Sequence, residues 1–201
     1  MKLYDYDAPN PQKVRIYAAE KGIDLPCEQV AVLDHGLRTP EMLAKNPLAV
    51  VPFLELDDGQ IIRESLAIIG YLEALYPEPP MLGSTPLERA RIQELDRLVE
   101  LGVMLEAANY VHNVMPFFAD LGPQSSQAAE MAGNNFRKKL TVVNGEIGER
   151  PFVAGDRPTV ADCTLYSALD FAAKVGLVVP ETLRNVLRWQ REFAERPSAG
   201  A

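Results

Sequence analysis

The sequence predicts a small α/β unit followed by an all-helical bundle. Three observations point there: short β-type runs alternate with helical ones as far as Tyr76, the stretch PEPPMLGSTPLE then lacks any period, and only helical spacing follows it. The expected division is residues 1–77 for the α/β domain, 78–87 for the linker and 88–201 for the helical domain. At 201 residues, against roughly 150 per domain, two small domains are affordable.

Lys2 to Tyr6 is a short aromatic strand. Asn10-Pro11 pairs a favoured N-cap with a favoured first helical residue, and Val14, Tyr17, Ala18 and Gly22 mark a helix of period 3.6 with a glycine stop. Pro26 to Val32 is the second strand, closed by Asp34-His35-Gly36, and Thr39 to Lys45 forms a short helix that Asn46-Pro47 interrupts. Pro52 to Leu56 and Gln60 to Ile62 flank Asp57-Asp58-Gly59, whose Asp-Gly suits a tight hairpin. Leu66, Ile69, Leu72 and Tyr76 recur on one helical face until Pro77. The order is βαβαββα.

Beyond the linker, Leu95, Leu98, Val99 and Leu105 predict one long helix, straight or kinked, to about Met115-Pro116. Further helices are expected over Gln127 to Ile147, Val160 to Phe171 and Leu183 to Phe193. Thr159 with Asp162 three residues on is a capping box, which by itself stabilises a helix start and performs no chemistry.

Composition narrows the function classes. The net charge of −8 has the wrong sign for holding a phosphate backbone, which argues against nucleic acid as a partner. With 47% apolar residues but no long apolar run, the chain can build a core and is not expected to meet a membrane. Only Cys27 and Cys163 are present, far apart, so neither a disulfide framework nor a metal site is suggested. MKLYDYDAPN has no secretory pattern, which makes a cytoplasmic location the expectation.

Three segments, PNPQKVRIYAAEKGI, NPLAVVPFLELDDGQIIRESLAIIGYLEALYP and FVAGDRPTVADCTLYSAL, together with the element order, resemble the cytosolic glutathione S-transferases. The resemblance implies a thioredoxin-like N-terminal domain that binds glutathione as co-substrate, and a helical domain that supplies part of the second substrate's pocket. It also implies a homodimer, a small electrophilic second substrate and a role in detoxification. A rival reading keeps the fold without the catalysis, as a binding or regulatory protein.

In this resemblance Val51-Pro52 is a cis peptide, against a trans proline starting an edge strand, and the backbone beside it pairs with the cysteinyl unit as an added strand would. Glu64-Ser65 opens a helix. Its free N–H groups suit the γ-glutamyl carboxylate and the Glu64 side chain suits the ammonium, whereas the plain alternative is a Ser cap with a dipole-friendly Glu.

The family's reaction needs a thiolate, while a free cysteine thiol has a pKa near about 8.5. Members use a Tyr, Ser or Cys near the end of the first strand. Here Ala8 stands where Ser or Thr would, and Pro9-Asn10 is similar to the Thr-Pro-Asn run of bacterial Nu-type members with the Thr missing. Asn10 is therefore the candidate catalytic residue, through its side-chain amide; its competing role is N-cap of the first helix. Tyr4 and Tyr6 are hydroxyl candidates on one strand face, though packing explains both. The positions that often hold the glycyl carboxylate fall near Leu37 and Val50, both apolar, leaving His35 or Arg38 as substitutes. Neither cysteine resembles an active-site thiol.

Overall fold

A computed structural model describes residues 1–201, the side chains of 120 and 121 apart. The first part runs β1 (Lys2–Asp5), α1 (Pro9–Glu20), β2 (Cys27–Gln29), α2 (Pro40–Lys45), β3 (Phe53–Glu55), β4 (Ile61–Arg63) and α3 (Ser65–Leu75). The sheet order is β2-β1-β3-β4, with β1 parallel to β2 and the β1–β3 and β3–β4 pairs antiparallel. The expected βαβαββα pattern holds. Its strands are shorter than the apolar runs because Pro26 and Pro52 have no N–H to donate, so β2 and β3 each begin one residue later.

The first helix corrects an expectation. Ala8, not Asn10, is its N-cap, in an extended conformation (φ −144°, ψ 158°), and Pro9 is its first residue. Proline restricts the residue before it to extended backbone and is itself preset for a helix start, so the chain turns helical before Asn10. Tyr6 likewise lies past the end of β1.

The helical part comprises α4 (Pro86–Val99), a π-helical turn (Glu100–Met104), α5 (Leu105–Val114), α6 (Ser126–Ile147), α7 (Val160–Ala173) and α8 (Arg184–Ala194). Helix α4 opens inside the proline-rich stretch, where Thr85 Oγ1 accepts from Glu88 N–H at 3.2 Å and Pro86 occupies the first position. The long helix is thus one run with an irregularity of known type: Leu105 N–H reaches back five residues to Glu100 O. Among the described residues no helix is long and apolar enough to cross a membrane.

Successive β1 residues point to opposite faces. Leu3 joins a large core with Val14, Tyr17, Ile69, Val99, Val103, Leu165 and Ala168, which ties α1 and α3 to the helices; Tyr4 joins a smaller one with Val30, Leu37 and Phe53. At about 1.5–3 kcal/mol per fully buried aliphatic side chain, the large core makes α1 and α7 one packed layer.

That layer is pinned by Asp162, fully buried at the start of α7. Its Oδ2 accepts from Thr159 N–H (2.9 Å) and Thr159 Oγ1 (3.0 Å), and its Oδ1 from Val153 N–H (2.8 Å) and Trp189 Nε1 (2.9 Å). The capping box is therefore also the joint between α7, α8 and the preceding loop.

Candidate functional site

The strand register gathers the residues singled out from sequence at one end of the sheet. Tyr4 pairs with Phe53 and Phe53 with Arg63, so the end of β1, the start of β3 and the end of β4 coincide. The loops leaving that end carry Ala8–Pro11, Val51–Pro52 and Glu64–Ser65. Two of them touch: Ser65 Oγ donates to Asn10 Oδ1 at 3.3 Å, joining the first turns of α1 and α3.

Asn10 is exposed, and its amide nitrogen has no protein partner among the described residues. Prolines at 9 and 11 remove two of the N–H groups a helix start would leave free, and Gln12 N–H is taken by Ala8 O at 3.1 Å. The remaining free donors of the turn are the backbone N–H and side-chain amide of Asn10. Gln12 N–H, used inside the helix, is not among them.

Val51-Pro52 is cis, as the resemblance implied. Neither the N–H nor the C=O of Val51 has a partner among the described residues, although Phe53, two residues on, is in the ladder. An extended peptide can pair with this backbone. What holds the loop in place was missed in sequence. Asn46 is 1% exposed, donates from Nδ2 to Val50 O (2.7 Å) and accepts Leu48 N–H (3.2 Å), while Ala49 sits at φ 51°. Read as a helix breaker, Asn46 is also the brace of the loop.

Glu64 lies at φ 70°, unusual for a side chain with a Cβ, and is the N-cap residue of α3 without capping it through its side chain. Its carboxylate is exposed and has no partner among the described residues. Ser65 is buried as the first residue of α3, whose opening N–H groups and dipole favour an anion. Positive φ at a glutamate leaves no trace in sequence.

Other candidates are placed elsewhere. The Tyr4 hydroxyl donates to Glu55 Oε2 (2.7 Å) and accepts from Lys45 Nζ (2.6 Å), and its ring stacks on Phe53 at 4.2 Å. Its donor is used in the core. Leu37 is buried in the smaller core, Val50 is 48% exposed, and His35 and Arg38 are exposed without partners among the described residues. Cys27 is exposed on β2 and Cys163 buried in α7; burial raises both thiol pKa values, the opposite of activation. Met104 is core, Phe118 packs on His112 at 4.2 Å, and Tyr110 lines a cavity of about 450 Å³ between α5 and α6. A second cavity, about 690 Å³, lies between α3, the linker and α4. Neither is lined by Asn10, Val51, Pro52, Glu64 or Ser65.

The chain matches two family models, "Glutathione S-transferase, N-terminal domain" over residues 3–80 and "Glutathione S-transferase, C-terminal domain" over 107–197. It is 36% identical to glutathione S-transferase 2 of Saccharomyces cerevisiae, covering 98% of this chain and 87% of that protein. It is 35% identical to a maleylacetoacetate isomerase of Pseudomonas aeruginosa, covering 89% of this chain and 84% of the relative. The crystal structure of a glutathione S-transferase domain-containing protein from Marinobacter aquaeolei superposes with a TM-score of 0.93 at 37% identity, over 99% of this chain and 100% of that one. That of Gtt2 from Saccharomyces cerevisiae gives 0.92 at 33%, over 100% and 99%.

Proposed function

Because the chain belongs to the glutathione S-transferase family, we propose that it is a glutathione transferase whose residues 1–77 bind the tripeptide. Residues 78–87, the last two of which already open α4, are the linker, and 88–201 supply part of the second substrate's pocket. The observation that carries this reading is the meeting of two helix starts, Asn10 against Ser65, beside unpaired backbone at Val51. Charge, strand pairing and a thiol donor are then offered at one sheet end.

In this reading Val51 pairs its N–H and C=O with the cysteinyl unit, next to Pro52. Glu64 accepts from the γ-glutamyl ammonium, and Ser65 with the start of α3 holds the γ-glutamyl carboxylate. His35 or Arg38 is the polar side chain that takes the glycyl carboxylate. The amide of Asn10 donates to sulfur and favours the anion; lowering the thiol pKa by two units takes about 2.7 kcal/mol. The thiol proton leaves to solvent. The thiolate pair then forms a bond to an electrophilic carbon with that carbon's leaving group departing as an anion (chloride from a chlorodinitrobenzene), to one sulfur of a disulfide with the other leaving as thiolate, or to a peroxide oxygen with the second oxygen leaving as alkoxide or hydroxide. The protein acts as a homodimer in the cytoplasm, in detoxification.

The test is a thermal melt with millimolar glutathione or S-methylglutathione, and turnover with a chlorodinitrobenzene. A rise in Tm that saturates with glutathione, together with turnover, is the expected result; an unmoved melt would sink the reading. Asn46→Ala adds a second measurement. Releasing the Val50–Leu48 brace removes about 1.4 kcal/mol of loop ordering, so KM for glutathione rises about tenfold while kcat changes little.

A further inference from the structure

Lys13 is the one lysine or arginine of α1 that is fully buried, at 0% exposure, and it lies one turn beyond Asn10. Its Nζ crosses from α1 to the π-helical turn, where it donates to Glu100 Oε1 at 3.0 Å. Glu100 Oε2 is in turn held by Arg97 NH1. Besides Glu100, the titratable groups near enough to interact with Lys13 from neighbouring elements are Asp96 of α4 and Cys163 of α7. Asp96 is buried, accepts from Thr164 Oγ1 at 2.6 Å, and its carboxyl is pushed up by burial, which weakens its claim on Lys13.

The start of α1 touches the helical domain through two further polar contacts, Gln12 Nε2 to Asp170 Oδ2 (3.3 Å) and Lys174 Nζ to Asp7 Oδ1 (2.6 Å). The first is only part-buried and the second joins exposed groups, whose pairing contributes little. Lys13–Glu100 is different, because a buried ammonium left without its partner is strongly disfavoured and so permits few positions of the helix that carries it. The wide turn matters here. It inserts an extra residue into the α4–α5 run at Glu100, and π-type insertions re-aim side chains in otherwise regular helices.

We infer that Lys13, held by Glu100 of the π-helical turn, is a positioning residue for the glutathione thiol, setting where the first turn of α1 presents Asn10 beside Ser65. The inference rests on the glutathione-transferase reading above. It makes the helical domain a participant in thiol activation, through a contact that does not touch the tripeptide. Lys13 and Glu100 act as a pair, so removal of either has the same consequence as removal of both.

The experiment uses the full chain with Lys13→Met, Lys13→Arg, Glu100→Gln and the Lys13→Met/Glu100→Gln double variant. For each, glutathione KM and kcat are measured, and the bound thiol is titrated by thiolate absorbance. Lys13→Met and Glu100→Gln are expected to raise the bound thiol pKa by about one unit and KM several-fold, non-additively in the double variant, with Lys13→Arg close to the unsubstituted chain. A lowered Tm with thiol pKa and KM unchanged in Glu100→Gln or Lys13→Met would overturn the inference, leaving the pair merely structural. If Lys13→Met does not fold, Glu100→Gln decides alone: an unmoved thiol pKa overturns the inference, a raised one supports it. Should the unsubstituted chain itself fail to bind glutathione, the glutathione-transferase reading falls first, which separates the two failures.

Discussion

Asp162→Ala is expected to yield no soluble folded protein, and Asp162→Asn to fold with a loss of about 1–3 kcal/mol in a denaturant titration. The difference follows from the hydrogen bonds. Alanine strands the N–H groups of Val153, Thr159 and Trp189 in the core. Each unsatisfied buried donor costs about 1–3 kcal/mol, and a domain has only about 5–15 in all. Asparagine can keep its oxygen toward Val153 and Trp189, and the Thr159 hydroxyl can turn to accept from the new amide. Only the Thr159 N–H then faces another donor. Equal stability of Asp162→Asn and the unsubstituted chain would mean that the joint between α7 and α8 lies elsewhere.

The same residue sets a pH dependence. Burial pushes the Asp162 carboxyl up to about 6, above its usual 3.8, although four donors pull the other way. A carboxyl whose folded pKa is raised binds its proton more tightly in the native state, so folded stability gains as pH falls through that range and is lost as pH rises through 6. Asparagine cannot titrate. The gap in stability between the two chains is therefore expected to widen by about 1 kcal/mol between pH 7 and pH 5.

Much of this arrangement was legible because it is written in local chemistry. The hairpin at Asp57-Asp58-Gly59, the glycine stop at Gly22 and the helices of the second half follow from backbone preferences and periodicity, and they stand where expected. Asn10, Val51, Pro52, Glu64 and Ser65 come to one sheet end because the βαβαββα order leaves few registers that bury Leu3, Leu54 and Ile69 together. The misses are of another kind. Asn46 looked like a helix breaker, and nothing local says that its side chain is buried across its own loop. Nothing in the sequence singles out Lys13, since its partner lies 87 residues away on a turn whose extra residue has no sequence signature. Asn10 is expected as a cap because Pro11, like Pro9, suits the first helical position; Pro9 takes that position and leaves the cap to Ala8.

That correction sharpens what Asn10→Ala should do. An N-cap substitution costs about 0.5–2 kcal/mol of stability, but Asn10 caps nothing and is exposed, so its replacement is expected to leave the melt within about 0.5 kcal/mol. The activity is another matter. Tyr4 has committed its hydroxyl to Glu55 and Ala8 has none, so the side-chain donor left beside Ser65 is the Asn10 amide. A hydrogen bond to an ion is worth about 1.5–3 kcal/mol, and at about 1.36 kcal/mol per unit its loss raises the bound thiol pKa by one to two units. Near neutral pH the thiolate fraction, and with it kcat/KM, then falls about 10- to 100-fold, while at pH values above the new pKa the two chains converge. An Asn10→Ala pH–rate profile that coincides with the parent's would transfer the role to the backbone N–H of residue 10, the one other donor this proline-flanked turn leaves free.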